Sequence, residues 1–450
     1  MKVTSIILAA GKGTRMRSGL PKVLHPLLGK PMFEYALETA RQVTGLDPVM
    51  VIGHEADAVR QAVGSHARFV VQEPQLGTGH AVQQSESLLS GQTELVLVTS
   101  ADMPLLTPET LNALVEKQAH NSGPFSMLTV IRADARGFGR IIRDDHGQVV
   151  EIVEEAQATP EQLQIHELNV GAYCFDAQWL FEALPRIPLS PKGEYYLTDL
   201  VAIAVAQEKP VQALVAPDVA ETIGINTRIH LAEAQALLRQ RINRAWMLAG
   251  VTLEDPASTY IEPGVRIGQD TLILPNSHLQ GNAVVGKNCT IGPNSVIQNT
   301  RIGDRCKIHA SVLESAVLED DVDVGPFAHL RKGAYLAAGV HMGNFGEIKN
   351  SYLGTGTKMG HFSYMGDATI GPDVNIGAGT ITCNYDGREK HPTEIGAGVF
   401  IGSDTMLVAP VKLGKGARTG AGAVVTKDVA EDTLAVGVPA RSIRKLKKGE

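Results

Sequence analysis

Cysteine is scarce: Cys174, Cys289, Cys306 and Cys383 are the only four in 450 residues, and none form a Cys-x-x-Cys pair. That excludes a disulfide framework and a cysteine-built zinc site, and it fits thiols kept reduced in a cytoplasm. No apolar run approaches the roughly 18 residues that span a bilayer, so no membrane insertion is expected. The opening MKVTSIILAAGKG puts Gly11 and Lys12 where a signal peptide would continue its apolar core, and it reads as a first strand. Positive charge is not in excess either. The net charge of −7 argues against a nucleic-acid partner. The one basic cluster is terminal (Arg441, Arg444, Lys445, Lys447, Lys448) and reads either as a solvated tail or as an attractor of a polyphosphate ligand.

What the chain does have is a beat. An aliphatic residue returns every sixth position at Ile261, Ile267, Ile273, Leu279, Val285, Ile291 and Ile297. With 44% hydrophobic residues, seven such hits in a row arise by chance about 0.3 per cent of the time, and a fixed short period signals a solenoid. The beat resumes at Val324, Leu330, Leu336, Met342 and Ile348, and again at Ile395, Ile401, Leu407 and Leu413, with one-residue slips between the runs as turns of variable length would produce. A hexapeptide period predicts a parallel β-helix with one aliphatic side chain per short strand pointing inward.

The first half differs. Apolar runs at Ser5–Leu8, Pro48–Ile52, Phe69–Val71 and Leu95–Thr99 alternate with helical patterns at Phe33–Val43, Ala56–Val63, Gly79–Leu89 and Pro108–Lys117. This alternation predicts an α/β domain with a mainly parallel sheet. Between the halves, Thr227 to Gly250 lacks proline and carries Leu231, Ala234, Leu238, Ile242, Ala245 and Ala249 at helical spacing. A chain of this length is expected to form two domains, here with a long helix joining them.

Chemistry-bearing residues stand out in both halves. Directly after the first strand, LAAGKGTRM (8–16) has two glycines that let successive amides approach an anion, with Lys12, Arg15 and Lys22 adding charge. It is neither a dinucleotide fingerprint, because Met16 replaces the third glycine, nor a Walker loop. A triphosphate or pyrophosphate ligand is expected there. Asp102 follows the run Leu95–Thr99, at a strand end where ligands of parallel sheets bind and where carboxylates hold magnesium. In the second half, 383–394 (CNYDGREKHPTE) breaks the rhythm, as a binding-face insertion would. His361 lies beside Tyr364, and Glu347 and Lys349 alternate so that both project to one face of a strand. A histidine is suited to take a proton near neutral pH, and Arg331 and Lys349 are cations able to hold an anionic ligand.

The segments LAAGKGTRM, LPKVLHPL, QLGTGHA (75–81), GFGRI (137–141), ELNVG (167–171), GEYYLTD (193–199) and GINTR (224–228) occur in the order found in sugar-phosphate nucleotidylyltransferases. With the hexapeptide half, the chain resembles end to end the bacterial bifunctional N-acetylglucosamine-1-phosphate uridylyltransferases/glucosamine-1-phosphate N-acetyltransferases. The resemblance implies an α/β nucleotidylyltransferase domain over residues 1–226 (Rossmann-like) and a linker helix over 227–249. It also implies a left-handed parallel β-helix of hexapeptide repeats over 250–450 for acetyl transfer, ending in the basic tail. It implies that Leu8, Ala9, Ala10, Gly11 and Lys22 hold the uridine nucleotide, with Gln72, Gly77 and Thr78 around the uracil. Gly139, Glu154 and Asn169 would contact the sugar, and Asp102 and Asn226 would bind Mg²⁺, Asn226 also lying against the nucleotide sugar. His361 is implied as general base with Glu347 orienting it. Arg331, Lys349, Tyr364 and Asn375 would bind glucosamine 1-phosphate, and Ala378, Asn384, Tyr385, Ser403 and Ala421 would bind acetyl-CoA. UTP and acetyl-CoA are the implied co-substrates, a homotrimer with sites shared between subunits the implied assembly, and the cytoplasm the implied location. The alternatives are a single-activity nucleotidylyltransferase with a structural or regulatory β-helix, and a trimeric scaffold without chemistry.

Two departures from that family carry expectations of their own. An aromatic and a glycine usually precede the metal aspartate, whereas this chain has Ser100-Ala101. A methyl group where the backbone closes on the ligand is expected to reshape the nucleotide contact. In AVGVPAR (435–441), Val438 stands nearest the position where some members carry a cofactor-contacting arginine, with Arg441 as a substitute.

Overall fold

The structure is a computed structural model that describes residues 1–446, so Lys447 and Lys448 of the basic cluster lie outside the described residues. Two compact units emerge, Met1–Leu238 and Arg239–Glu450.

The first unit is built on a nine-stranded sheet. Its strands are β1 (Val3–Leu8), β2 (Val49–Ile52), β3 (Arg68–Val71), β4 (Leu95–Ser100), β5 (Phe125–Ile131), β6 (Arg140–Arg143), β7 (Val149–Val153), β8 (Glu167–Asp176) and β9 (Val211–Val215). The main path runs β9-β5-β8-β4-β1-β2-β3, with β6 and β7 attached beside β8. Strands β4, β1, β2 and β3 are mutually parallel, and β8 runs antiparallel between β4 and β5. The helices are α1 (Met32–Thr44), α2 (Ala56–Val63), α3 (Thr78–Gln83), α4 (Glu86–Leu89), α5 (Pro108–Ala119), α6 (Ala177–Ala183), α7 (Leu200–Ala206) and α8 (Arg228–Leu248).

Local signals explain the boundaries. Thr107 caps α5 by accepting from the Thr110 amide at 3.3 Å, with Pro108 at the first helical position. Asp176 caps α6 through the Trp179 amide at 2.8 Å, and Gly45 ends α1 in the left-handed conformation. The single helix expected over Gly79–Leu89 is two short helices. Ser85 is fully buried there, and its hydroxyl donates to the Val82 carbonyl at 2.6 Å, a local bond that competes with helix continuation.

Helix α8 is shared in packing terms. Within the first unit Leu231, Leu237 and Leu238 lean on Met16, Leu27, Met32, Leu105 and Ile225, joined there by the buried Ala234. Within the second, Ile242 and Trp246 pack on the β-helix core.

The second unit is a left-handed parallel β-helix of three sheets, each strand from Thr252–Leu253 to Met406–Val408 pairing in parallel with the strand three further along. Ile261 lies over Leu279, and Leu279 over Ile297, so one coil takes eighteen residues there. All the beat residues named above are buried, most of them completely. The beat does not stop between Ile297 and Val324. Ile302, Ile308, Leu313 and Leu318 fill the same core at spacings of five and six. A corner one residue shorter keeps the inward side chain in register while it breaks the sequence count. Many corners need positive φ, supplied by Asp270, Asn276, Asn288 and Asn294 among others, residues that tolerate the left-handed region. The antiparallel strand Arg441–Lys445 closes the last sheet. Its positive charges blunt an edge that would otherwise pair with another chain.

Candidate functional site

In the first unit the expected residues gather at the carboxyl ends of β1, β2, β3 and β4. The loop after β1 is anchored by the Ala9 amide donating to the Val51 carbonyl at 2.9 Å. A side chain at Gly11 would meet nothing within 4 Å, so the chain itself leaves that space open. Gly13 has φ of 60°, and a Cβ there would lie 2.6 Å from the Lys22 Cβ, so the loop must be glycine where Lys22 crosses it.

Lys22, Asp102 and Asn226, far apart in sequence, converge. The Lys22 ammonium pairs with Asp102 Oδ2 and donates to Asn226 Oδ1 at 3.2 Å. Backbone pairing brings the last two together, because the Ile225 amide donates to the Asp102 carbonyl at 2.8 Å. Both side chains of the ion pair are largely buried, at 13% and 19% exposure, so screening is weak. Two oxygen donors facing one cation suit magnesium, which takes few protein ligands and completes its shell with water and phosphate. The Lys22 ammonium stands in for such a cation here, so Asp102 and Asn226 fit the ion the resemblance implies. Among the described residues no cluster of three or more His, Cys, Asp or Glu side chains offers an all-protein cage.

Gln72, Gly77 and Thr78 also come together. The buried Gln72 amide donates to the Gly77 carbonyl at 2.8 Å and meets His80 Nδ1 at 3.2 Å. Thr78 Oγ1 accepts from the Leu197 amide at 3.0 Å, which ties QLGTGHA to GEYYLTD. Gly139 and Asn169 are joined by the Asn169 amide donating to the Gly139 carbonyl at 2.9 Å. Burial raises the Glu154 carboxyl above the usual carboxylate range, opposed by the Thr198 hydroxyl at 3.3 Å. Tyr173 hydroxyl lies 2.7 Å from the Asn169 amide nitrogen. Tyr173 and Thr198 were missed in the sequence. Thr198 lies inside the quoted GEYYLTD, whereas Tyr173 carries no local signal.

The expectation for Ala101 is overturned. Its methyl is fully buried and packs in a cluster with Ile7, Val23, Phe33 and Ala36, so it faces the core and not a ligand. The side chain at the site is Ser100, whose hydroxyl lies 2.6 Å from Asp102 Oδ1.

On the β-helix, His361, Ala378, Ser403 and Ala421 occupy one corner in four successive coils. Each lies two residues after an inward-facing residue, Met359, Ile376, Ile401 or Thr419 respectively. Corner ladder bonds connect the lower three: the Asp404 amide donates to the Ala378 carbonyl at 2.6 Å and the Gly422 amide to the Ser403 carbonyl at 2.8 Å. His361 is exposed. The orienting contact expected from Glu347 is directed elsewhere, because its carboxylate accepts from Arg331 Nη1 at 2.8 Å.

Arg331, Glu347, Lys349 and Tyr364 share one sheet, in which Glu347 stacks beside Tyr364. Asn375 does not join them. It pairs with Lys358 and Phe400 in a different sheet, across the corner. The acetyl-CoA residues divide in the same way. Asn384 and Tyr385 stand beyond the opposite end of the Arg331 sheet from the His361 corner, with Asn384 held to Asp367 at 2.6 Å. The excursion after Cys383 folds back through a bridge between Tyr385 and Lys390 and rejoins the coil at Thr393. Lys390 and then Arg331 push the pKa of Lys349 below the usual lysine value. Lys390 is thus a third cation at this site that sequence reading missed, although it lies inside the rhythm-breaking segment. Val438 is exposed, and Arg441 opens the closing strand opposite Val436.

Residues 5–161 match the MobA-like NTP transferase domain family, and residues 264–299 and 392–427 match the bacterial transferase hexapeptide family. The chain is similar over nearly its whole length to proteins named "Bifunctional protein GlmU". That of Heliobacterium modesticaldum is 48% identical, with 97% of this chain and 95% of the relative covered. That of Geobacillus sp. (strain WCH70) is 44% identical, with 99% and 97% covered. That of Streptococcus equi subsp. zooepidemicus is 45% identical, with 100% and 97% covered.

Proposed function

Because the chain belongs to the bifunctional GlmU family, we propose that its two activities are divided between its two units. The protein is an enzyme of UDP-N-acetylglucosamine synthesis. It acetylates glucosamine 1-phosphate with acetyl-CoA, then transfers UMP from UTP to N-acetylglucosamine 1-phosphate with release of pyrophosphate. The observation that carries the division is the convergence of Lys22, Asp102 and Asn226 inside the first unit, while His361 stands on a corner of the second.

In uridylyl transfer, an oxygen of the sugar 1-phosphate attacks the α-phosphorus of UTP and pyrophosphate leaves. The nucleophile is already anionic at neutral pH, so no general base is required, and positioning with charge neutralisation does the work. Amides of Ala10 and Gly11 and the Lys22 ammonium bind the phosphates. Gln72, Gly77 and Thr78 frame the uracil, and Gly139, Glu154 and Asn169 hold the sugar. Asp102 and Asn226 are the ligands for Mg²⁺, which when bound neutralises charge developing on the phosphate oxygens.

In acetyl transfer, the amine of glucosamine 1-phosphate gives a proton to His361 as its nitrogen attacks the thioester carbonyl. The carbon–sulfur bond then breaks and the proton passes to the leaving CoA sulfur. Arg331, Lys349 and Lys390 bind the sugar phosphate, with Glu347 orienting Arg331. Ala378, Ser403 and Ala421 offer a narrow corner along which acetyl-CoA lies.

The assembly is a homotrimer whose acetyl sites are shared. Support comes from Asn375 and Arg331 facing outward from different sheets of one chain, on either side of a corner. A second copy facing the first supplies the missing side. Among the described residues no helix is long and apolar enough to cross a membrane. The free thiols and the co-substrates support work in the cytoplasm.

The test is a paired assay on the full chain with Mg²⁺. One arm reads CoA release from acetyl-CoA and glucosamine 1-phosphate. The other reads pyrophosphate release from UTP and N-acetylglucosamine 1-phosphate. Both are expected; failure of the first alone would reduce the β-helix to a scaffold.

A further inference from the structure

We infer that Ser100 is a positioning residue for uridylyl transfer, holding the Asp102 carboxylate by one oxygen so that the other faces the cation; this rests on Asp102 being a metal ligand. Ser100 ends β4 directly opposite Leu8, where the nucleotide loop begins. Its hydroxyl lies 2.6 Å from Asp102 Oδ1 and 3.4 Å from the Leu8 carbonyl oxygen. One proton cannot serve both acceptors, and the shorter contact to a charged oxygen takes it. The two carboxylate oxygens therefore have different tasks. Oδ1 is tethered to the strand end, and Oδ2 meets the Lys22 ammonium, which also bonds Asn226.

Without the tether, the carboxylate torsion is broad, so no oxygen would be held steadily against the cation. The neighbouring methyl of Ala101, fully buried, keeps the segment seated on the core. Ser100 is thereby free to serve the site without also packing the interior. Hydrogen bonds of this kind, one step out from a metal, commonly change metal affinity by tenfold or more.

The experiment uses calorimetric titration of UTP into the full chain without sugar phosphate, so that no turnover occurs. It is run once with Mg²⁺ and once with EDTA. Ser100→Ala is expected to weaken binding of Mg²⁺–UTP about tenfold while metal-free UTP binds as to the wild type. The EDTA arm also reports that the variant is folded. Ser100→Thr, which keeps the hydroxyl, is expected to restore the wild-type difference between the two arms. A Ser100→Ala protein that keeps that difference, or that loses both arms equally, overturns the inference. Asp102→Asn separates this from failure of the underlying reading. If Asp102→Asn also keeps the full Mg²⁺ effect, Asp102 is not the metal ligand and both readings fall.

Discussion

The two units assemble their sites by opposite means. In the α/β unit, Lys22, Asp102 and Asn226 come from three distant segments and meet because parallel strands all end on one side of a sheet. In the β-helix, His361, Ala378, Ser403 and Ala421 meet because each repeats the same place in successive coils. The first kind of site needs the whole sheet before any two of its residues touch. The second kind is a property of the period, and it extends along a column without being enclosed. The difference has a functional counterpart. A convergent site can be completed by one chain, whereas a column on a convex corner is open on one side, which is where we propose that a second copy supplies the opposite wall.

The sharpest way to break this contrast is to disable one site and read both activities. Asp102→Ala should reduce uridylyl transfer by about three orders of magnitude, the loss expected for a ligand of a charge-neutralising metal. Acetyl transfer should be unchanged. His361→Ala should reduce acetyl transfer at least about 100-fold, the low end of a general base's contribution, and spare uridylyl transfer. If either substitution lowered both activities together, the units would not be independent.

Stability offers a second test. Ile291 is fully enclosed in the β-helix core, and Ile291→Ala should cost about 2 kcal/mol or somewhat more, roughly 30-fold in the folding equilibrium. Thermal unfolding should show the loss in the transition that abolishes acetyl transfer, with the transition that abolishes UTP binding in place. Loss in both would mean that the units unfold as one.

Shared acetyl sites make a numerical prediction. Chains carrying Arg331→Ala and chains carrying Asn375→Ala should each be poor acetyltransferases. Mixed in equal amounts by unfolding and reassembly, they should recover about a quarter of wild-type activity, because a quarter of the facing pairs bring an intact surface from each copy. No recovery would place both residues of a site on one chain.

The smallest effect concerns charge. Lys390 and Arg331 hold the Lys349 pKa below the usual lysine value, so Lys349 loses its proton at a lower pH than an ordinary lysine. Affinity for the sugar phosphate should therefore fall as pH rises through that lowered pKa. Lys390→Gln removes the main cause. It should raise KM for glucosamine 1-phosphate a few-fold near neutrality, as an exposed charge does, and move the alkaline rise in KM to higher pH. An unmoved alkaline limb would show that Lys390 does not act on Lys349.

How much of this was legible in the sequence follows the same contrast. Ile261 to Ile297 announced the β-helix by counting alone, and the break at 383–394 announced the loop that carries Lys390. The one-residue slips expected between the runs are the five-residue spacings between Ile297 and Leu318, where a shorter corner alters the count without moving the inward side chain. In the α/β unit the loop glycines and Lys22 were visible as a local motif. Tyr173 beside Asn169 was not visible, because no local motif marks that pair, and in the β-helix the period brings Glu347 next to the Arg331 coil without saying which neighbour its carboxylate takes. Ala101 was misjudged for a related reason. Whether a residue at a strand end faces ligand or core depends on the helix packed beneath it, and that helix, α1, lies more than fifty residues earlier in the chain.

By itself, then, the sequence determined the two architectures and the inventory of chemical groups, since hydrophobic period and local turn chemistry act over a few residues. Tertiary structure alone decided that Lys22, Asp102 and Asn226 meet, how the Asp102 carboxylate is divided between Ser100 and Lys22, and that the Ala101 methyl faces the core. Those outcomes depend on distances between segments remote in the chain, and only the completed packing of sheet and coil sets them.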